Sequence, residues 1–325
     1  MDESSENIEL HPSATQSGLF RPDKFTVAAT GIGPKGEALR LLVTDSLAGV
    51  VFARTEQPGW ASFPKTQTET EYSAILTVHD RHEIQEISIP NLSSAFPRVQ
   101  VFPNGEILIV ASRCQRFADG SHELNAKVFG TDGSLRREFL LGDGIEHVQV
   151  DRKGNIWVGY FDEGVNGNFG WGHSINRLGA SGLTCFDAWG ERLWDFQPPA
   201  GCDPISDCYA LNVSKDGIWT YYYTGFPFVR IDSDWKTRGW RSKTSGGREF
   251  AVHNQRILHF GGYGKERTSC KLLRLDEDSA DLVAHVTLLL PEEVDLAKAD
   301  VIGRDNKLNV FFDNAWYVFS IDSID

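Results

Sequence analysis

Between Val148 and Gly164 apolar and polar residues alternate, pause at Asp-Arg-Lys-Gly, and alternate again, VQVDRKGNIWVGYFDEG. That is two strands joined by a tight turn. Arg98–Ser112, RVQVFPNGEILIVAS, repeats the pattern around Asn104-Gly105, and Tyr209–Thr224, YALNVSKDGIWTYYYT, repeats it around Asp216-Gly217. Alternating runs flanking Asn-Gly or Asp-Gly are the strongest short-range hairpin signal in a sequence. Hairpins returning every few dozen residues predict stacked four-stranded units, the blades of a β-propeller.

Pairing the hairpins predicts six blades. The first holds Leu41–Thr55, turning at Leu47-Ala48-Gly49, with Tyr72–Ile89, turning at Asp80-Arg81. The next four pair Arg98–Ser112 with Ala126–Leu141, Glu146–Phe161 with Gly182–Phe196, Tyr209–Thr224 with Phe228–Arg241, and Arg248–Tyr263 with Cys270–Leu290. Asp300–Asn314 and Ala315–Asp322 begin a sixth that lacks one outer strand. Lys24–Thr30, KFTVAAT, is the upstream run left to complete it, since ring closure by an N-terminal strand leaves no free edge. Seven blades, the alternative, need another pair within the polar, Pro-interrupted segment 56–71. Leu290–Lys298 is expected as a short loop helix. The organisation expected is a flexible polar tail over residues 1–22 and one all-β propeller domain over 23–325.

Composition narrows the partners. Among 325 residues, 45 Asp and Glu outweigh 32 Lys and Arg, a formal charge of −13. An acidic surface disfavours nucleic acid and anionic lipid. The N-terminal MDESSENIELHPSATQ has neither a basic n-region nor an apolar h-region, and no apolar run reaches the roughly eighteen residues of a membrane span. Five scattered cysteines (Cys114, Cys185, Cys202, Cys208 and Cys270) are no disulfide framework, so a cytoplasmic monomer is expected. Cys202 and Cys208 lack the second Cys or His pair of a structural zinc site.

VDRKGNIWVGY resembles the repeat of NHL and gluconolactonase-like (SMP-30) six-bladed propellers, in which a D-x-x-G-N-hydrophobic-W run forms the inner hairpin. The resemblance implies a fold; propellers host hydrolases, lyases, lectins and scaffolds alike. Gluconolactonase-like enzymes hold a metal through a Glu on the first inner strand, with an Asn and an Asp from later blades. Leu41-Leu42-Val43 has no such Glu, and the nearest, Glu37, lies in the preceding loop, so that ligand set is not carried over.

In a propeller, the starts of the innermost strands and the ends of the second strands ring the channel mouth. That rule selects Arg98, Glu146, His147, Asp207, Arg248, Glu249 and Asp300, together with Arg54, Arg113, Asp162, Glu163, Tyr223, Tyr263, Asp313 and Asn314. The long insertion 164–181, GVNGNFGWGHSINRLGAS, adds Asn166, Asn168, Trp171 and His173, Trp171 being the expected stacking surface. No nucleophile elbow, H-E-x-x-H or phosphate loop is present. The expectation is a non-catalytic binding protein that takes a protein partner or a small polar or anionic ligand at Arg98, Arg113, Glu146, Asp162, Glu163, Asn166, Asn168, Trp171, His173, Arg248 and Tyr263, with no cofactor. The alternative is a propeller hydrolase or lyase using Asp162, Glu163 and His147, with or without a divalent cation. Arg54, Arg98, Arg113 and Arg248 form an anion site if at least two guanidinium groups are open; otherwise they are structural.

Overall fold

The computed structural model describes residues 6–19, 24–55, 62–80, 83–172 and 177–324. The chain packs as two compact units, one of Phe20–Phe196 and one of Met1–Leu19 with Gln197–Asp325. Strands β1 (Glu6–Leu10) and β2 (Ala14–Ser17) open the chain and belong to the second unit.

The first unit runs through β3 (Phe25–Ile32), β4 (Ala38–Thr44), helix α1 (Asp45–Val51), short β5 (Arg54–Thr55) and β6 (Phe63–Pro64), β7 (Gln67–His79) and β8 (Ile84–Ser94). Next come β9 (Pro97–Val101), β10 (Ile107–Ala111), β11 (Ala126–Phe129), β12 (Leu135–Phe139), β13 (Ile145–Val150), β14 (Ile156–Tyr160), helix α2 (Asp162–Asn166), β15 (Leu183–Phe186) and β16 (Arg192–Asp195). They make three four-stranded antiparallel sheets, ordered β3-β4-β7-β8, β9-β10-β11-β12 and β13-β14-β15-β16.

The second unit contributes β17 (Asp207–Ser214), β18 (Gly217–Tyr223), β19 (Phe228–Ile231), β20 (Thr237–Ser242), β21 (Gly247–His253), β22 (Arg256–Gly261), β23 (Cys270–Leu275), β24 (Ser279–Leu288), β25 (Asp300–Arg304), β26 (Lys307–Phe312) and β27 (Ala315–Ser320). Two four-stranded meanders, β17 to β20 and β21 to β24, are joined into one sheet by a two-residue parallel pairing of Arg241 and Ser242 with Ser279 and Ala280. A last sheet is ordered β2-β27-β26-β25. The fold is all-β with a β-propeller-like arrangement of up-and-down sheets.

Local chemistry explains the repeat. Asp151 Oδ1 accepts the N–H groups of Lys153 and Asn155, and Oδ2 accepts from the Asn155 amide and the Trp157 indole. The D-x-x-G-N-x-W run is therefore a self-bonded turn, with Gly154 supplying the φ of +90° it requires. Asp187 and Asp232 each accept two N–H groups in the same way. Strand interiors then bury their apolar residues between neighbouring sheets. Leu39, Leu76, Ile107 and Ile109 are fully buried in one such layer, each stabilising by roughly 1.5–3 kcal/mol relative to exposure. Innermost strands approach closely: a Cβ on Gly31 would stand 2.4 Å from the Val99 carbonyl oxygen, and one on Gly303 2.1 Å from that of Phe250. Buried Asn212 bridges three inner strands, donating to the Phe250 and Asp305 carbonyls and accepting from the Asp305 N–H.

Several expectations need correction. Residues 45–51 form α1 rather than a hairpin, because Leu47 and Val51, four apart, both turn to the core. The first sheet instead starts at β3, so Phe25–Thr30 of the expected Lys24–Thr30 run belongs to an inner strand and does not complete the last sheet. That place is taken by Ala14–Ser17, paired antiparallel with β27, while Glu6–Leu10 pairs parallel with β24. Two paired strands thus lie within the expected tail. Leu290–Lys298 forms successive turns, not a helix, with Val294 N–H on the Pro291 carbonyl and Lys298 N–H on that of Asp295. Arg81, in the expected first outer turn, lies outside the described residues.

Candidate functional site

In the first unit the long insertion closes over Arg113. This arginine is 3% exposed and grips Asp143 through two bonds, Nε to Oδ1 at 3.0 Å and Nη2 to Oδ2 at 2.9 Å. Its Nη1 reaches Glu163 Oε2 at 2.5 Å. The guanidinium lies between the rings of Phe169, 4.4 Å away, and Phe161, 5.2 Å away. Burial pushes the Asp143 carboxyl up to about 6, with Arg113 and the Cys114 N–H pulling it back, so it is charged at neutral pH. Glu163 also accepts from the Asn168 amide at 2.7 Å. A basic group, two carboxylates and two rings here satisfy one another.

The insertion is itself tied down. Phe169 carbonyl oxygen accepts from the Arg116 N–H and the Gln115 amide, and the Trp171 indole donates to the Cys114 carbonyl at 2.8 Å. Trp171 is 6% exposed, so it is a buried anchor and not the stacking surface expected of it. Its ring lies 5.9 Å from that of His122 while its indole reaches the Cys114 carbonyl, so the loop folds it inward. His173 lies outside the described residues. Asn166 is exposed, as is Asp162, whose Oδ1 accepts the Glu163 N–H at the start of α2.

The remaining first-unit candidates spread along the rim. Arg98 donates to the Ser112 hydroxyl and pairs loosely with Glu146 at 3.4 Å, both about half exposed. His147 follows at a register shift in β13. Arg54 donates to the Ser62 carbonyl and covers the Phe96 ring. Of the four arginines of the expected anion site, Arg113 is sealed by its partners, while Arg98 is about half exposed and Arg54 is exposed. All five cysteines are free thiols, and among the described residues no group of three or more His, Cys, Asp and Glu side chains could hold a metal ion.

The second unit carries a different kind of site. Tyr209 on β17, Tyr223 closing β18, Phe226 in the following turn and Tyr263 just past β22 converge at one end of their sheet. Phe226 is the hub, with ring centroids 5.1 Å from Tyr209, 5.7 Å from Tyr223 and 6.1 Å from Tyr263. It takes a φ of +53°, which turns the chain back so that its ring meets the others. Tyr209 and Tyr263 hydroxyls bond at 2.6 Å. Burial, then this bond, holds the Tyr209 hydroxyl above its ordinary range, so it stays protonated. Tyr223 and Tyr263 are nonetheless 47% and 55% exposed, and rings held rigidly while open to solvent make a platform for stacking. Beneath it Tyr221 stacks on Phe226, and the fully buried His259 lies 4.7 Å from Tyr221.

The strand-end rule found Tyr223, Tyr263 and Arg248 but missed Tyr209, Phe226 and Arg267. Tyr209 and Tyr263 are 54 positions apart, and only the packing of β17 on β21 unites them.

Residues 178–296 match the YxzG family. No curated protein matches the sequence. Solved structures similar to this chain include virginiamycin B lyase from Staphylococcus aureus, 11% identical over 95% of this chain and 98% of that one, TM-score 0.48. A gluconolactonase from Xanthomonas campestris is 12% identical over 95% and 98%, TM-score 0.42. The β-propeller domain of the trilobed protease from Pyrococcus furiosus is 13% identical over 91% and 83%, TM-score 0.44. The likeness is to propellers as folds and bears on no residue described above.

Proposed function

We propose that the protein is a six-bladed β-propeller that binds a small polar ligand on the Tyr209–Tyr223–Phe226–Tyr263 platform. Each of the six four-stranded sheets would be a blade, the last completed by Ala14–Ser17. The carrying observation is the platform's exposure: four interlocked aromatic rings, two of them about half open, at the strand-end position where propellers place ligands. Burying such rings under a ligand releases apolar surface from water without a rearrangement of the site. The insertion 164–181 is proposed to brace the fold at Arg113 rather than to capture a partner. Ligand-observed NMR with a panel of ring compounds tests this. Binding that is lost in Phe226→Ala and Tyr263→Ala, with thermal unfolding otherwise two-state and loop variant Asn166→Ala unaffected, supports the platform. Binding that survives both substitutions places the ligand elsewhere.

A hydrolase or lyase is the second possibility, and the Tyr209–Tyr263 hydroxyl pair favours it. The exposed Tyr263 hydroxyl, held by its bond to Tyr209, stands where it could donate a hydrogen bond to a leaving-group oxygen, whereas the raised Tyr209 phenol is the weaker acid. The earlier trio is less suited, because Glu163 is already held by Arg113 and Asn168. Turnover of aryl esters or lactones that falls in Tyr263→Phe, with binding retained, would support catalysis; a panel with no turnover leaves the protein a binder.

A further inference from the structure

Beside Tyr263 in the fold and in the chain stand two exposed arginines, Arg248 and Arg267, neither in an ion pair among the described residues. Arg248 occupies the register shift between Gly247 and Glu249, which releases it from regular pairing with β22. Its Nη2 donates to the backbone carbonyl of Arg267, 3.2 Å away, in the 3₁₀ turn Gly264–Thr268 that follows Tyr263. Gly261, at φ +95°, packs against the Arg248 backbone, a Cβ there standing 3.2 Å from the Arg248 nitrogen, and Gly246 lies against the face of the Tyr263 ring, where a Cβ would meet three ring atoms at 2.7–2.8 Å.

The local carboxylates are turned to other groups. Glu266 pairs with Lys271 at 2.9 Å, and Glu249 accepts the Gly303 N–H at 2.7 Å. Among the described residues neither Arg248 nor Arg267 has an ion-pair partner. Partial burial and then the neighbouring Arg267 disfavour the charge on Arg248, while Glu249 acts the other way. Two like charges side by side at an exposed edge repel each other, and an anion bridging them relieves that repulsion.

Resting on the platform assigned above, we infer that the ligand is a ring compound carrying a carboxylate or phosphate, its ring stacked on Tyr263 and its anionic group held between Arg248 and Arg267. The shared chemistry is a planar or sugar ring bearing an oxyanion one or two bonds away. A neutral ring would use half of the site, and a free inorganic anion the other half.

Isothermal titration of the full chain with phenyl phosphate, benzoate, inorganic phosphate and the neutral phenyl β-glucoside tests this. Phenyl phosphate or benzoate should bind about tenfold tighter than the glucoside, and weaken by about tenfold in Arg248→Gln and in Arg267→Gln, a charge-assisted pair being roughly twice a neutral hydrogen bond. Binding should also weaken with salt. Tyr263→Ala should weaken phenyl phosphate while leaving inorganic phosphate unchanged. Aryl anions that bind the Gln variants as well as the parent overturn the inference. If the glucoside binds as tightly as the aryl anions, the platform stands and the anion half fails; if no probe binds, both fail. Circular dichroism of each Gln variant guards against misfolding, and a salt-dependent loss in Arg248→Lys gives a second, milder measure at the same position.

Discussion

Replacing Arg113 with Met should be among the most damaging single changes in the protein. The side chains of Arg113 and Asp143 are 3% and 2% exposed, so water cannot take over when the guanidinium is removed. Asp143 would keep the Cys114 N–H at 2.8 Å, and Glu163 would keep Asn168. Breaking a buried pair from one side costs about 3–5 kcal/mol, because the surviving charge stays desolvated. The lost stacking on Phe169 and Phe161 falls within that range, while Met restores part of the packing. Urea unfolding at pH 7.5, followed by tryptophan fluorescence, measures the loss.

Acid provides a signature that packing damage lacks. Asp143 already sits at about 6 in the parent because it is buried, and without Arg113 it moves higher. A folded carboxyl whose pKa exceeds its unfolded value near 3.9 binds more protons than the unfolded chain, so its contribution to stability falls as pH rises. The Met variant's deficit should therefore shrink as pH falls from 8 toward 5. Adding Asp143→Asn should recover a good part of the loss, as a double-mutant cycle would show. A deficit under about 1 kcal/mol, unchanged with pH, would refute the claim that this pair is buried and dependent on both partners.

Other consequences follow from single contacts. Gly303→Ala forces a Cβ to 2.1 Å from the Phe250 carbonyl oxygen and should cost several kcal/mol in chemical denaturation, about the upper range for overpacking; an unchanged midpoint would mean the inner strands can separate. Trp171→Ala removes a buried ring and its bond to Cys114, with an expected loss of about 3–5 kcal/mol by urea titration. Burial, with Lys271 adding, lowers the His259 imidazole to about 3 against an unfolded value near 6.5. Below pH 6.5 the unfolded chain binds the extra proton, so stability should fall by about 1.4 kcal/mol per pH unit toward pH 3 from this group. In His259→Leu that part of the slope should vanish, and identical slopes in parent and variant would show the imidazole to be protonated in the fold.

The hairpins were legible because their turns are chemically local: Asp151, Gly154 and Trp157 interact within seven residues and need nothing from the rest of the chain. The N-terminal strands were not. Ala14–Ser17 is mostly exposed and bonds through its backbone to β27, and backbone pairing leaves no hydrophobic pattern to read. Helix α1 was missed for the opposite reason, since LVTDSLAGVV satisfies both a period of two and the i, i+4 contact of Leu47 with Val51. The strand-end rule and the long insertion together found part of each site but could not tell a buried tryptophan from an exposed tyrosine. Trp171 looked exposed in a glycine-rich loop, yet its indole finds the Cys114 carbonyl 57 residues away.

Arg113 and Arg248 show what a sequence leaves undecided. Both stand near strand ends, and either could be structural. What separates them is where the neighbouring carboxylates turn. Asp143 and Glu163 converge on Arg113, and two rings close over it, so its charge is neutralised within the fold. Glu249 turns to a backbone N–H and Glu266 to Lys271, leaving Arg248 facing a second arginine's carbonyl at an exposed edge. A sealed cation contributes to stability through its partners and has nothing left to offer a ligand. An open pair next to exposed rings contributes little to the fold, and its attraction is available to an incoming anion. Arg248→Gln should therefore leave the urea midpoint within about 0.5 kcal/mol of the parent, as expected of an exposed charge, while Arg113→Met does not. A large stability loss in Arg248→Gln would make that arginine structural too.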